Sequence, residues 1–361
     1  MTSKQYGDTM SLAQRQTEAD RPLSRHSVPP QAGRRRKVGE IFTSAEILAL
    51  TKRADWRGFW AVGSTWGVIA LAFAGIAWAV HHLPTWAAVV VVLAGMAVIA
   101  GRQLGLAILM HEAAHGTLFK TKWFNDVLVD WLCARPIWND LNKYRVHHLQ
   151  HHAKTGSAED TDISLVAPFP TTRASLARKF LRDLTGLTGL KFLLGRLLMD
   201  MGYLKWTIAQ EQQNLPQDGV TWGMRARLLV RNTTPTVLTN LALWGTLYAA
   251  GEGWLYGIWV LSYMTPFTLF VRIRSMAEHA CTSNSRDTFF NTRTTRAGWL
   301  ARATVAPMRV HFHIEHHVMA SVPYYRLKTM HKILRARGLV QAPPGYWDVL
   351  NLVSSKRLAQ G

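Results

Sequence analysis

Two histidines four residues apart, with a glutamate beside the first, make His111-Glu112-Ala113-Ala114-His115 the first stretch that can do chemistry. On a helix, that spacing turns both imidazoles to one side. H-E-x-x-H is the signature of a zinc metalloprotease, with the glutamate as general base. Two surface histidines four apart by accident are the plainer alternative. The rest of the chain bears on the choice. Of its 15 histidines, 11 fall in four places: His111 and His115; His147, His148, His151 and His152; His279; and His311, His313, His316 and His317. His148-x-x-His151-His152 and His313-x-x-His316-His317 share an i, i+3, i+4 spacing that presents three imidazoles on one helical face. A zinc site closes at four ligands, or at three plus water. Nine such rings exceed what one zinc can use, and two iron ions sharing them fit better, since imidazole suits iron as well.

The elements that position these residues read as helices in and beside a membrane. Apolar residues cluster into runs long enough to cross a bilayer, at 58–80, 85–108, 235–250 and 254–271. The formal charge of +20 is compatible with nucleic acid. The basic residues, however, flank the apolar runs, where anionic headgroups and the positive-inside rule place them, and no nucleic-acid motif is present. Arg53 and Arg57 precede the first run, whereas the turn His81-His82-Leu83-Pro84 carries no Lys or Arg. The N-terminus is therefore expected inside and the turn outside. From residue 85 to 110 a helix extends about 39 Å against roughly 30 Å of hydrocarbon. Arg102 is then expected to snorkel to the inner interface, which carries His111 about 13 Å beyond it on the cytoplasmic side. Arg272 and Arg274 close the fourth run, and His279 follows at a similar offset.

The expected organisation is a disordered, basic cytoplasmic tail at 1–40, a membrane domain at 41–340 and a C-terminal tail at 341–361, both termini being cytoplasmic. A cytoplasmic helical cap is expected from 109–231 and 272–340, below four transmembrane helices. Thr43 or Ser44, with Glu46 following, predicts a capped helix within 41–55. Leucines recurring from Ser175 to Leu198 among Arg178, Lys179, Arg182, Lys191 and Arg196 predict an amphipathic helix, either on an anionic membrane face or in the cap core. Cys133 and Cys281 are too few for a disulfide framework or a thiolate metal site. No cleavable signal peptide is visible.

HEAAH followed by two HxxHH boxes, with apolar runs before the first and third, resembles the membrane fatty acid desaturase and hydroxylase superfamily. The resemblance covers about residues 55–340. Its acyl-lipid desaturase branch is further resembled by Glu159-Asp160-Thr161-Asp162, Ala277-Glu278-His279-Ala280 and Val322-Pro323-Tyr324-Tyr325-Arg326-Leu327. The resemblance implies an all-α integral membrane protein of a bacterial inner membrane, with a di-iron centre held by His111, His115, His148, His151, His152, His279, His313, His316 and His317. It implies O₂-dependent desaturation of a lipid-linked fatty acyl chain, with electrons from a separate ferredoxin or cytochrome-type protein. His147, His311, Asp160, Asp162, Ser275 and Glu112 are candidates for support behind the ligands. In some relatives an asparagine occupies the position of Ser275 and holds a water on iron. Trp123, Trp131 and Trp138 are candidates to line a substrate channel or to anchor at the interface. Lipid hydroxylation or carotenoid ketolation on the same scaffold is the alternative, and an intramembrane zinc protease built on HEAAH the remote one.

Overall fold

The computed structural model describes residues 34–209 and 211–356, and no β-strand occurs among them, only three isolated bridges. Counting the helices of eight residues or more, together with the short one that carries the third histidine box, the order is α1 (Ser44–Thr51), α2 (Asp55–His82), α3 (Thr85–Ala114), α4 (Leu141–Lys154), α5 (Arg173–Leu184), α6 (Leu187–Asp200), α7 (Trp222–Ala249), α8 (Leu255–Met264), α9 (Pro266–His279), α10 (His313–Val318), α11 (Leu327–Ala336) and α12 (Tyr346–Val353).

Helix α1 starts where a capping box allows it. The Thr43 hydroxyl accepts from the Glu46 amide at 3.3 Å while the Glu46 carboxylate accepts from the Thr43 amide at 2.9 Å. Helices α2 and α3 are joined by Leu83-Pro84, a link so short that they run back along one another. They are the two described helices long and apolar enough to cross a membrane. Ala61, Ile69, Phe73 and Ile76 of α2 bury against Ile99, Leu106 and Leu109 of α3. Trp259 of α8 closes that core by stacking on Trp66, with ring centroids 5.8 Å apart. At Gly101 a Cβ would stand 2.1 Å from the Ala303 carbonyl oxygen, so only glycine lets the backbones approach this closely.

Several boundaries differ from the sequence expectation. The run expected to cross at 254–271 is two helices, α8 and α9, broken at Thr265-Pro266. Proline lacks the amide proton a continuing helix needs and restricts the residue before it. The run expected at 235–250 is the C-terminal half of the longer α7, whose N-terminal half carries Arg225, Arg227 and Arg231. The single amphipathic helix expected at 175–198 is also two, α5 and α6, parted at Gly186 with φ +81°. Leucines 181, 184, 187, 190 and 194 along them stay exposed. Arg102 has partners within the protein. It donates to the carbonyls of Arg302 and Ala303 at 3.2 and 2.8 Å, the orphan end of a short helix.

The expected tails are also partly built in. Residues 1–33 lie outside the described ones, but Arg34 to Ile41 is placed, and Ile41 and Phe42 bury with Leu50 against Val318, Val322 and Met330. At the other end, Val349 and Val353 of α12 pack on Leu176 of α5 and Met276 of α9. The Thr171 amide donates to the Val353 carbonyl at 2.8 Å, and that of Lys356 to Thr171 at 3.1 Å.

These elements converge on one place. Helix α3 packs against α4 and α9, and its last turn faces the segment that carries α10.

Candidate metal centre

The last turn of α3, the middle of α4, the end of α9 and the whole of α10 bring nine histidines together in two groups. His111, His115, His148, His152 and His316 form one; His151, His279, His313 and His317 form the other. In each group one ring nitrogen from every histidine lies within 4.8 Å of all the others. A metal–nitrogen bond of about 2.1 Å puts opposite ligands about 4.2 Å apart, so each group is the size of one ion's ligand shell. Within the first group the Nε2 atoms of His115 and His148 face each other at 2.9 Å, and those of His316 and His152 at 3.0 Å. In the second, His313 and His279 do so at 2.7 Å. The groups adjoin where the rings of His152 and His317 stack, 4.1 Å between centroids.

The two H-x-x-H-H boxes divide themselves between the groups. In α4 the outer pair, His148 and His152, enters the first group and His151 the second. In α10 the outer pair, His313 and His317, enters the second group and His316 the first. Residues i and i+4 sit almost above one another on a helix, and i+3 is offset by about 60°. One face can therefore serve two neighbouring ions.

The donor set fits metal. Both ring nitrogens of His111 and Nε2 of His317 are buried without a hydrogen-bond partner among the described residues, and the inward Nε2 atoms of His152, His313 and His316 meet the Nε2 of another imidazole. Leaving a buried polar atom unpaired costs about 1–3 kcal/mol. Burial, then repulsion from neighbouring rings, holds His148, His152, His313, His316 and His317 well below the usual imidazole pKa. They are neutral at physiological pH, the form that ligates. Five nitrogens in one group exceed tetrahedral zinc, whereas imidazole also suits iron.

Carboxylates stand behind the rings. Asp160 accepts from His151 Nδ1 at 2.6 Å, which leaves Nε2 to point inward. Asp162 accepts from His147 Nε2 at 2.8 Å and lies 3.8 Å from His151 Nδ1. Burial pushes His151 down, but Asp162 and Asp160 outweigh it and hold its pKa above the ordinary value. Burial likewise pushes Asp162 up, but His151 and His147 outweigh it and keep its pKa at about 2. Glu112 Oε2 accepts from Thr117 Oγ1 and from the Tyr324 amide, both at 2.9 Å, and its Oε1 lies 3.7 Å from His111 Nδ1. His147 and His311 stay outside both groups; His311 packs on Phe312, centroids 4.3 Å apart.

Other supporting residues were not singled out as such from the sequence. Glu278 is bonded to Arg274 at 2.8 Å and approaches His313 Nδ1 to 3.6 Å. Its place beside His279 is the one signal that marks it. His279 Nδ1 meets the Asn291 carbonyl at 3.3 Å. Glu315, fully buried inside the third box, turns away from the centre to His331 Nδ1 and Thr294 Oγ1, both at 2.6 Å. Arg35 donates to the carbonyls of His152 and His317 at 3.3 and 3.4 Å, near the C-terminal ends of α4 and α10.

A cavity of about 490 Å³ opens from His148, His151, His279 and His313. Leu104, Met110, Ile137, Phe192, Phe267 and Val271 give it apolar walls, and Ser275 also lines it. Of the three tryptophans considered for such a channel, Trp138 lines it, whereas Trp123 and Trp131 are exposed.

The family model for fatty acid desaturases matches residues 84–349, which span the whole centre and the cavity. The chain belongs to this fatty acid desaturase family and is an enzyme of the oxidoreductase kind. It is similar to the dihydrorhizobitoxine desaturase of Bradyrhizobium elkanii, at 25% identity over 252 residues, 68% of this chain and 67% of that protein.

Proposed function

We propose that the chain desaturates a fatty acyl chain, lipid-linked and drawn from the bilayer, at a di-iron centre with O₂ as co-substrate. The observation that carries this reading is the meeting of nine imidazoles in two ion-sized groups beside an apolar cavity. His111, His115, His148, His152 and His316 would hold one iron; His151, His279, His313 and His317 the other. Bound iron, with O₂ and two electrons from a separate ferredoxin or cytochrome-type donor, would supply the oxidant that an unactivated methylene requires. The protein's part is placement. Asp160 fixes the tautomer and aim of His151, and Glu112, held by Thr117 Oγ1 and the Tyr324 amide, places a carboxylate 3.7 Å from His111 Nδ1. The apolar walls hold the chain and keep bulk water from the site. Glu112, occupied in this way, is poorly placed to be a protease's general base, and nine rings exceed the needs of one zinc.

The membrane arrangement belongs to the same proposal. Helices α2 and α3 cross the bilayer, and α7 with α8–α9 completes four passes, leaving both termini and the histidine cap on the cytoplasmic side of a bacterial inner membrane. The exposed leucines of α5 and α6, with Arg178, Lys179 and Arg182 beside them, suit an anionic headgroup layer.

Gas chromatography of fatty acid methyl esters from cells with and without the gene tests the reaction. A new double bond that disappears with His313→Ala is expected. An unchanged acyl profile with an oxygenated lipid or pigment would replace desaturation by hydroxylation or ketolation.

A further inference from the structure

Five cations line the cavity beside the histidines: Arg182, Lys191, Arg196, Arg272 and Arg274. Arg272 is bound by Asp183 through two hydrogen bonds, at 2.5 and 2.8 Å, and Arg274 by Glu278 at 2.8 Å. Arg182 and Lys191 are solvent-exposed, so water serves their charges. Arg196 is different. Its side chain is half-buried between the cavities, yet among the described residues no carboxylate lies within ion-pair distance of it. The acids nearest to it in effect are already engaged, Asp140 by Arg135 at 3.1 Å and Asp200 by Lys143 at 3.2 Å. What Arg196 does have is one long hydrogen bond to Asn139 Oδ1 at 3.5 Å and the face of Trp206 at 4.9 Å.

Burying a charge is costly unless it is paired, and the fork of a guanidinium matches a carboxylate or phosphate in two parallel hydrogen bonds. Its location is as telling as its lack of a partner. A second cavity of about 540 Å³, lined by Leu229, Val237, Leu241, Trp244 and Tyr256, meets the first where both share Trp138, Asn139 and Arg196. Arg196 thus stands at the junction between a mostly apolar chamber under α7 and the chamber that reaches the histidines.

We propose that Arg196 binds the anionic head, a carboxylate or a phosphate, of the amphiphile that occupies these cavities. The occupant is then an anionic amphiphile whose apolar part lies in the chambers on either side of its head. Arg196 is a specificity-determining residue that selects charge, and the selection is independent of what the metal site does to the chain. This rests on the proposed function and deepens it by naming the head of its substrate: a phosphate head agrees with a lipid-linked chain, and a carboxylate head makes the substrate a free fatty acid instead.

The test is equilibrium binding to the full-length iron-loaded protein in a neutral maltoside detergent, with dodecanoate, dodecyl phosphate and dodecanol as probes. These share one chain and differ in the head. The wild-type protein is expected to bind at least one of the two anions about tenfold or more tighter than dodecanol, and the ratio of dodecanoate to dodecyl phosphate identifies which anion the site prefers. Arg196→Gln is expected to erase that preference while leaving dodecanol affinity unchanged, which also shows that the cavity is intact. Arg196→Lys is expected to keep part of it. Arg335→Gln, at an exposed cation outside both cavities, is expected to keep nearly all of it. Equal binding of all three probes to the wild-type protein overturns the proposal without any variant. So does a preference that survives Arg196→Gln. Because no turnover is read, failure here is separate from failure of the desaturation reading, which the acyl-ester profile decides.

Discussion

The two H-x-x-H-H boxes have the same spacing and opposite assignments. In α4 the outer histidines serve the group of five and the middle one crosses over; in α10 the outer histidines serve the group of four. Their surroundings differ just as much. The α4 box lies inside a 14-residue helix whose N-cap, Asp140, accepts from the Lys143 amide at 3.0 Å. The α10 box fills a helix of six residues that follows left-handed backbone at Met308 and Arg309, and it relies on tertiary anchors. Behind His151 stand Asp160 and Asp162, whereas the equivalent His316 has an unpartnered Nδ1 and no carboxylate behind it. Spacing sets the face a box presents. Packing sets which group each ring joins, and the carboxylates set how firmly each ring is aimed.

The largest effect expected from this difference is a crossed pattern of metal loss. His152→Ala and His316→Ala, in different boxes, each empty the group of five, whereas His151→Ala and His313→Ala each empty the group of four. Each variant retains about one iron per chain and makes no detectable double bond. Metal analysis with Mössbauer spectroscopy reads it. Loss grouped by box, α4 variants alike and α10 variants alike, would break the comparison.

A smaller effect separates the supports. Asp160→Asn removes the carboxylate that aims His151, and such outer partners are worth about 10–100-fold in metal affinity or activity. Glu315→Ala leaves iron affinity nearly unchanged, because Glu315 holds α10 to His331 and Thr294. It lowers stability by about 1–3 kcal/mol by taking the acceptor from the buried Thr294 hydroxyl and the half-buried His331 ring. Metal titration and denaturant unfolding in detergent distinguish the two.

Acid sharpens the same contrast. His148, His152, His313, His316 and His317 have pKa values well below the usual one through burial and mutual repulsion. The unfolded chain takes up protons below about pH 6.5 that these folded rings refuse. The stability they contribute is present above that pH and is lost as pH falls. His151 has the opposite sign. Its raised pKa contributes stability below about pH 6.5 that is lost as pH rises through the folded value. Melting temperatures of the metal-free protein between pH 7.5 and 5.5 are therefore expected to fall. The fall becomes shallower in His316→Asn and steeper in His151→Asn. Equal slopes in the two variants would remove the asymmetry.

The smallest effect is local. Asp140→Ala takes away the α4 cap at a cost of about 1 kcal/mol and also frees Arg135 from one of its two acids. Hydrogen exchange is expected to rise at the start of α4 and stay unchanged around α10.

The sequence made some of this legible for reasons that are local. Three imidazoles at i, i+3 and i+4 share a face whatever the fold, and the even apolar runs at 58–80 and 85–108 are long enough to read as α2 and α3. The break at Thr265 was also within reach, because Pro266 disfavours a continuous helix there, although Pro235 is tolerated inside α7. What was not legible depends on distant chain segments meeting. The exchange of His151 and His316 between groups, the reach of Arg35 to two helix ends and the pairing of Asp183 with Arg272 have no periodic trace. Arg102 and Arg272 read as interface markers because a lone arginine after an apolar run does so. Their guanidiniums also satisfy helix carbonyls and a buried aspartate, which the apolar runs do not announce.

The metal content of the purified full-length protein, from cells supplied with both iron and zinc, tests the central claim most directly. Two irons per chain, falling to about one when either His313 or His316 is replaced by alanine, is the result expected. A single zinc per chain, retained in both variants, would contradict it.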